Sequence, residues 1–427
     1  KIPDNISEKD LRKIIEDTLN LDLFPNLDNP EPYAGESAED RKKRSVLMKL
    51  QTLSSMIAKY LEVLCGFRSP DDRDSWSNKL VETAGNLMEK HLKTSWESCL
   101  NSINDKIANK QISSFNEILK NIGKDITNEF TSSFIQPEWG VKGKSQKKNV
   151  TQILNRDSII ATNAHLATIN VGVPRTDNLP QIRIVQNSQF PIVCYITTAE
   201  GENCGIVKNI SILTYVSLGV SDKDIKRQIM GDVNLNLPPM VFNEESENNK
   251  DIVFVNSGFM GYCNAVSLKK FLIEGRRNGL FPIEMSVIHI NDILHIDLSP
   301  SRPMSPFLIV NEDQQLEIDR KGLRGAPIHE LIASGCIEFI SSWEQESIKL
   351  ATNPNNIYQR VTLINSLKKE YEKSLEILEK VTNGETILDS TGKVLDLELA
   401  QSNVEFSLLK YNRHNNTLPY THCMIHG

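Results

Sequence analysis

The first third of the chain carries apolar residues three and four positions apart, which is the period of an amphipathic helix. This pattern predicts largely helical structure from Ser7 to about Phe134. One long helix would place on a single apolar face Leu53, Met56, Ile57, Tyr60, Leu61 and Leu64. The acidic turn Asp71-Asp72-Arg73-Asp74 interrupts the pattern, and a second helix is predicted to run through Leu80, Leu87, Met88 and Leu92.

The middle of the chain changes to a period of two and becomes rich in β-branched residues, which is typical of strands. The predicted strands are marked by Ile182, Ile184, Val193, Ile196, Ile210 and Val216. Two hairpins are predicted, one over 252–258 that turns through Asn256-Ser257-Gly258 and one from Ser286 to Leu298 that turns at Asn291-Asp292. A short helix from about Val266 to Glu274 lies between them.

The last part returns to a helical period after Asn355, and Asn383-Gly384 ends that helix. The fold class is therefore predicted as α+β with several domains. It has a helical N-terminal third, a mixed and mainly β middle with hairpins, and a helical insertion near the C-terminus. The 427 residues leave room for about three compact units.

Composition changes this picture little. Hydrophobic residues make up 39% of the chain and charged residues 24%, as in an ordinary folded protein. The balance of 48 Lys and Arg against 55 Asp and Glu gives a net charge of −7, so a nucleic-acid surface would have to be a local patch. The apolar runs are too short to span a membrane. The seven widely spaced cysteines favour a reducing compartment.

The N-terminus begins at Lys1 without Met and carries no signal segment, which favours an internal piece of a longer protein. One short motif, Gly143-Lys144-Ser145, is similar to the end of a phosphate-binding loop. The first glycine of that pattern would have to be Glu138, however, so an ATP site is disfavoured.

Two groups of metal-capable side chains have simpler explanations. His422, Cys423 and His426 stand too close together to surround one tetrahedral ion easily, so a strand end with hydrogen-bonded histidines is favoured over a zinc enzyme. The acidic turn at 71–74 contains Arg73 and precedes a predicted helix, which favours a helix N-cap and salt-bridge turn over a two-metal site. No metal site is predicted.

The remaining candidates for functional residues are basic side chains on loops in the mainly β region. A loop from Val141 to Asn149 carries Lys142, Lys144, Lys147 and Lys148. Arg156, Arg175, Arg183 and Lys208 follow in a region with several glycine turns. Such groups are suited to phosphate contacts, which position a nucleic acid without reading its sequence. A solvated charged face is the alternative.

The order of several segments resembles the second-largest subunit of the multisubunit DNA-directed RNA polymerases, the family that includes the bacterial β subunit. Residues 71–85 resemble its Asp-Asp-Arg-Asp-x3-Lys-Arg…Ala-Gly stretch, and Glu138-Trp139-Gly140 resembles the start of its first fork loop. Residues 150–156 with His165-Leu166 resemble its Val-Ser-Gln-x-Leu-x-Arg…Ser-His-Leu-Arg-Arg segment. In this chain Ala167 and Thr168 replace the two arginines.

The resemblance continues through the rest of the chain. Residues 194–201 are similar to Cys-Pro-Ala-Glu-Thr-Pro-Glu-Gly, and 205–211 to Gly-x-Val-Lys-Asn-Leu-Ser. The identities in that region are Glu200, Gly201, Gly205, Lys208 and Asn209. Residues 253–310 resemble the external region, and 421–426 resemble Thr-His-Cys-Glu-Ile-His at the start of the hybrid-binding part. The departures from the family pattern indicate a divergent member of the family, which resembles the second-largest subunits of large cytoplasmic DNA viruses.

The resemblance implies a role in DNA-templated RNA synthesis from NTPs. The catalytic Mg²⁺ ions would be held mainly by the largest subunit, so this chain alone is expected to be inactive and its part to be positioning of the RNA–DNA hybrid and template. Arg183 and Glu200 match positions close to the nucleotide-addition site. Arg183 would support the template or the incoming nucleotide, and Glu200 would orient a basic group or, alternatively, tie its own turn together as a buried acid. Nucleic-acid contacts are expected at Lys142, Lys144, Lys147, Lys148, Arg175, Arg183 and Lys208.

The resemblance also implies a division into regions and a set of partners. The expected regions are 1–66 as the end of a lobe, 67–135 as a helical protrusion, 136–215 as the fork, 216–350 as external domains, and 351–427 as a helical insertion and the start of the hybrid-binding region. The partners would be the largest and other polymerase subunits, template DNA, the hybrid and NTP, in the host cytoplasm or virion, or otherwise in the nucleus. The alternative is a noncatalytic scaffold that binds RNA or protein outside a polymerase.

Overall fold

The computed structural model describes residues 23–28, 37–109, 114–135, 139, 150–173, 180–231, 251–290, 292–388 and 393–425. Within these residues the helices are α1 (Ala38–Leu64), α2 (Ala84–Ala108), α3 (Phe115–Ile135), α4 (Ile159–Leu166), α5 (Pro180–Arg183), α6 (Asp222–Gly231), α7 (Ala265–Arg277), α8 (Glu317–Arg320), α9 (Ile328–Ala333), α10 (Ser342–Gln345), α11 (Pro354–Thr382) and α12 (Leu397–Asn415).

The strands form three sheets of mixed size. They are β1 (Thr168–Asn170), β2 (Val193–Thr198), β3 (Val207–Ile210), β4 (Tyr215–Val216), β5 (Asp251–Val255), β6 (Gly258–Cys263), β7 (Ser286–Ile290), β8 (Ile293–Asp297), β9 (Pro303–Ile309), β10 (Ile337–Ser341), β11 (Leu350–Ala351) and β12 (His422–Met424). The predicted α+β fold class is confirmed.

The chain divides into two compact units, and both are discontinuous in sequence. The first consists of residues 1–71, 219–299 and 305–427, and the second of residues 72–218 and 300–304. The region boundaries expected from the family resemblance remain predictions.

The first unit contains the largest core. Its four-stranded sheet has the order β6-β5-β8-β7, and the helix α7 covers it through Leu268 and Leu272, both almost fully buried. Both predicted hairpins are confirmed. Asn256 and Ser257 adopt φ values of 48° and 64°, which is the left-handed geometry that a tight two-residue turn requires.

A second sheet of the first unit lies around β9, with β10 on one side and β12 then β11 on the other. β12 runs antiparallel to β9 and parallel to β11. The predicted C-terminal helix is confirmed as α11, and it packs against α12, a helix that the sequence pattern did not reveal. Tyr371 and Tyr411 stack across this hairpin with their ring centroids 6.4 Å apart.

The second unit combines α2 and α3 with the three-stranded sheet β1-β3-β2. Two sequence predictions are wrong here. Ile182 was predicted to lie in a strand, but it lies in the helical turn α5, and Ile184 follows that turn in a bend. The second long helix begins at Ala84, so Leu80 precedes it. The β-branched pattern indicated extended structure, but Pro180 at the first position of the turn favours a helical start.

Candidate nucleic-acid interface

The acidic motif of the second unit forms a compact turn on its own. The Asp72 carboxylate accepts the backbone N–H of Asp74 at 2.8 Å, and the Asn78 amide donates to the Asp72 carbonyl at 2.8 Å. Thr83, and not an acid of this motif, is the N-cap residue of α2. The predicted N-cap role of the acidic residues is therefore wrong, because a 3-10 turn (Trp76–Asn78) and a loop separate them from the helix.

Trp76 joins this turn to residues 188–193, at the start of β2. Trp76 is 4% exposed and packs with Val193, the first residue of β2, and with Ile192 just before it. The Trp76 backbone N–H donates to the Ser188 hydroxyl at 3.0 Å. Two segments that are far apart in sequence are thus held together by one buried aromatic side chain.

Lys208 lies in β3 beside the same tryptophan. The ammonium groups of Lys208 and Lys79 each lie 5.9 Å from the Trp76 ring centroid. The Gln189 amide, with its oxygen turned toward Lys208, accepts a hydrogen bond from Nζ at 2.7 Å. Burial lowers the pKa of Lys208, Lys79 lowers it further, and Asp74 opposes both. Two of the family-like segments, 71–85 and 205–211, therefore meet at one place, together with residues 188–193, which lead into the family-like segment 194–201.

Arg183 and Glu200 also lie in the second unit, in different surroundings. The half-buried Arg183 donates hydrogen bonds from one guanidinium nitrogen to the carbonyls of Glu202 and Cys204. Glu200 is exposed, so the alternative interpretation of this residue as a buried acid is wrong.

Most of the predicted basic contacts cannot be placed in this geometry. Lys142, Lys144, Lys147, Lys148 and Arg175 lie outside the described residues, as does the Gly143-Lys144-Ser145 motif. Their assignment to nucleic-acid binding stays a prediction.

The residues that flank the basic loop contact each other. Trp139, which is 7% exposed, donates its indole N–H to the Ser133 carbonyl and to the Thr151 hydroxyl, both at 2.8 Å. His91 packs against the indole ring with centroids 5.0 Å apart, and its Nε2 lies 2.7 Å from the Ser133 hydroxyl. The sequence signal was the isolated tryptophan before Gly140, but its partners on α2 and α3 could not be deduced from spacing.

Trp139→Phe should lower the free energy of unfolding by about 1 to 2 kcal/mol, because the Ser133 carbonyl and the Thr151 hydroxyl each lose the indole hydrogen bond while most of the aromatic packing remains. Urea unfolding followed by circular dichroism measures the change. Trp96→Phe is the matched control, since Trp96 is 44% exposed on α2. Equal losses in the two variants would show that the indole hydrogen bonds do not stabilise this unit.

His165 takes part in a local network that fixes its tautomer. Its Nδ1 accepts the backbone N–H of Asn155 at 3.1 Å, so Nε2 carries the proton that is shared with the Gln152 side-chain oxygen at 2.9 Å. Thr168, which replaces an arginine of the family pattern, instead hydrogen-bonds to Asn209 at 3.1 Å. This position therefore contributes to pairing between β1 and β3 rather than positive charge.

The metal-capable side chains do not converge. Neighbouring residues of a strand point to opposite faces, so His422 and Cys423 on β12 cannot bind the same ion. His422 lies 3.4 Å from Glu338, and Cys423 belongs to a buried apolar cluster. Among the described residues, no group of three or more His, Cys, Asp or Glu side chains is arranged to hold a metal ion. His426 lies outside the described residues.

The comparisons with known proteins agree with the family resemblance seen in the sequence. Residues 152–216 match the family described as RNA polymerase Rpb2, domain 3. The chain is 28% identical over 349 residues to DNA-directed RNA polymerase subunit Rpo2 of Sulfolobus acidocaldarius, which covers 76% of this chain and 30% of that protein. It is 28% identical over 321 residues to DNA-directed RNA polymerase II subunit RPB2 of Encephalitozoon cuniculi, covering 71% of this chain and 28% of that protein.

A third relative comes from another class of the same enzymes. The chain is 26% identical over 332 residues to DNA-directed RNA polymerase III subunit RPC2 of Drosophila melanogaster, covering 74% of this chain and 29% of that protein. The chain spans about 30% of the length of the curated relatives it matches. These findings show that the chain is similar to the second-largest subunits of multisubunit RNA polymerases over part of their length.

Proposed function

We propose that the chain is part of the second-largest subunit of a DNA-directed RNA polymerase and that it positions the RNA–DNA hybrid and template near the active centre. The observation that carries this proposal is the meeting of the family-like segments 71–85 and 205–211 around Trp76, Lys79 and Lys208. The matched family segment, 152–216, contains Arg183, Glu200 and Lys208.

Nucleotide addition transfers a phosphoryl group, and bound Mg²⁺ supplies charge stabilisation of the attacking and leaving oxygens. The carboxylates described here do not suit that task. Asp71 pairs with Arg68 at 2.6 Å, and the Asp72 carboxylate is occupied by a backbone N–H. We therefore assign the metal to the largest subunit, and this chain alone is expected to be inactive.

This chain would contribute positively charged side chains, which hold the nucleic acid in position. Lys142, Lys144, Lys147, Lys148 and Arg175 are assigned to phosphate contacts, which fix the register of a nucleic acid. Lys208 is 8% exposed, so its charge would act on a phosphate through the local field, whereas Lys79 is the more exposed ammonium of the pair.

The partners in this proposal are the largest and the other polymerase subunits, template DNA, the RNA–DNA hybrid and NTP. The departures from the family pattern, such as Ala167 and Thr168 in place of two arginines, favour a viral enzyme that acts in the host cytoplasm or virion. A nuclear enzyme is the alternative. Among the helices described, none has the length and apolar character that a membrane crossing requires.

An affinity purification of the tagged chain from its native source tests the proposal. Mass spectrometry of the partners and primer extension on an RNA–DNA scaffold are measured on the same preparation. We expect a largest polymerase subunit and extension that depends on Mg²⁺. Recovery of the chain alone, or with unrelated partners and no extension, would contradict the polymerase assignment.

A second candidate function is a noncatalytic scaffold that binds RNA or protein outside a polymerase. The observation in its favour is that three apolar side chains of the second unit, Ile153, Ile196 and Ile212, are 96%, 93% and 96% exposed. Large exposed apolar areas are typical of interaction sites. The same purification distinguishes the two, because a scaffold would be recovered without a largest polymerase subunit.

A further inference from the structure

The turn that follows Glu200 has a shape that two glycines make possible. Gly201 and Gly205 adopt φ values of 67° and 74°, a conformation that side chains disfavour. Between them the backbone closes a 3-10 turn, in which the Cys204 N–H donates to the Gly201 carbonyl at 3.0 Å and the Ile206 N–H to the Asn203 carbonyl at 3.1 Å. The result is a compact turn with inward-facing amides.

Arg183 holds this turn from the neighbouring helical turn α5. One terminal nitrogen of its guanidinium group donates to the Glu202 carbonyl at 2.8 Å and to the Cys204 carbonyl at 2.7 Å. These carbonyls lie on either side of Asn203, so one charged donor bridges the turn. Hydrogen bonds from a charged donor are stronger than neutral ones, which makes this bridge an effective brace.

The backbones of α5 and the turn also fit closely. A side chain at Gly205 would place its Cβ 2.6 Å from the Arg183 Cα and 2.6 Å from the Arg183 carbonyl oxygen. Real Cβ atoms do not approach backbone atoms that closely, so only glycine allows this contact. The position of Arg183 and the course of the turn are therefore determined together.

Glu200 stands at the entrance to this braced turn. Its side chain is exposed, and within the described residues its carboxylate makes no hydrogen bond or ion pair. An unpaired carboxylate on a rigid backbone is available to a cationic group of another molecule or subunit. Arg183, in contrast, directs its charged end to carbonyls of its own unit.

We infer that Arg183 is a positioning residue, which fixes the turn from Glu200 to Gly205 and acts on the reaction through Glu200 rather than by contacting the nucleotide. This inference rests on the proposed function and revises the role expected for Arg183. It explains why one arginine and two glycines accompany an acid whose carboxylate makes no hydrogen bond or ion pair with the described residues.

Hydrogen exchange on the 427-residue chain tests the brace without any assumption about activity. Arg183→Ala should speed exchange of the Cys204 and Ile206 amides about tenfold or more, because the turn loses its bridge. Arg156→Ala is the matched control, since Arg156 is exposed in the same unit, and it should leave both amides unchanged. Unchanged exchange in Arg183→Ala would overturn the inference. If that variant melts as a whole, Arg183→Gln replaces it and is judged by the same two amides.

Primer extension by the assembled enzyme then tests the route through Glu200. Arg183→Ala, Glu200→Gln and the double variant should show about the same fall in kcat, with the KM for NTP changed less than about twofold, because both residues act as one unit. If the reductions in kcat of the two single variants multiply in the double variant, or if the KM for NTP rises in Arg183→Ala, Arg183 contacts the nucleotide directly. Either result would overturn the inference. If the unmodified enzyme makes no RNA, the proposed function fails, while the exchange result still decides the brace.

Discussion

Arg276→Ala should destabilise the first unit by about 3 to 5 kcal/mol, because Glu344 loses its buried ion-pair partner and Glu338 loses the more buried of its two arginines. Arg276 is 4% exposed near the end of α7 and donates to both oxygens of Glu344, at 2.8 and 3.0 Å. It also donates to Glu338 and to the Met285 carbonyl. Urea unfolding followed by circular dichroism measures the loss.

Arg277→Ala is the matched control for this buried cluster. The Arg277 side chain is 31% exposed, and its one ion pair with the described residues is to Glu338 at 2.7 Å, so its removal should cost clearly less. If Arg277→Ala loses as much stability as Arg276→Ala, the burial of Arg276 does not determine the size of its contribution. A variant with Arg276, Glu338 and Glu344 all replaced by apolar residues should recover much of the stability.

The same cluster predicts how stability depends on pH. Burial by itself would raise the pKa of Glu338, but Arg276, His422 and Arg277 outweigh it, and the pKa lies well below its ordinary value. A lowered carboxyl pKa stabilises the fold above the unfolded-state value, and that contribution is lost as the pH falls through the folded-state value. In Arg276→Ala the loss should begin at a higher pH than in the unmodified chain.

Replacing Lys142, Lys144, Lys147 and Lys148 by alanine should weaken binding of an RNA–DNA hybrid most strongly at low salt. Each lysine that neutralises a phosphate contributes about 0.9 to the slope of log affinity against log salt concentration. Loss of all four should therefore reduce that slope by about 3 to 4. Fluorescence anisotropy with a labelled hybrid over a series of salt concentrations gives both the affinity and the slope.

The control for this experiment removes the same charge from another surface. Lys368, Lys369, Lys373 and Lys380 all lie on α11 in the first unit, and their replacement by alanine changes the net charge equally. This variant should keep the slope of the unmodified chain. An equal reduction in both variants would mean that the hybrid responds to net charge alone and that the loop has no specific role.

Local patterns predicted the parts of the fold that depend on neighbouring residues. The hairpin turns at Asn256-Ser257 and at Asp292, and the end of α11 at Asn383-Gly384, follow from residues that favour left-handed or capping geometry. The strand predicted around Ile182 failed because the β-branched pattern cannot distinguish a short helical turn from a strand. The convergence around Trp76 depends on long-range packing, which the family-like order suggested but spacing alone could not locate.

The helix α1 shows why amphipathicity alone was misleading. Its predicted apolar face includes Ile57, Tyr60 and Leu64, and all three are exposed, at 49%, 63% and 63%. The buried face includes Met48 and the polar residues Lys49 and Thr52. Lys49 is buried because its ammonium pairs with Asp28 at 2.6 Å. A hydrophobic pattern identifies an apolar stripe, but it does not identify which stripe the rest of the fold covers.

The chain leaves the sheet around β9 at β11, forms the α11–α12 hairpin, and returns to the same sheet at the neighbouring strand β12. β11 pairs in parallel with β12, and the Thr421 N–H donates to the Lys349 carbonyl at 3.0 Å. Because the entropic cost of closing a loop grows only slowly with its length, this site accepts long and short excursions at similar cost. The hairpin can therefore be lengthened, trimmed or exchanged during evolution while the strand order beneath it is preserved.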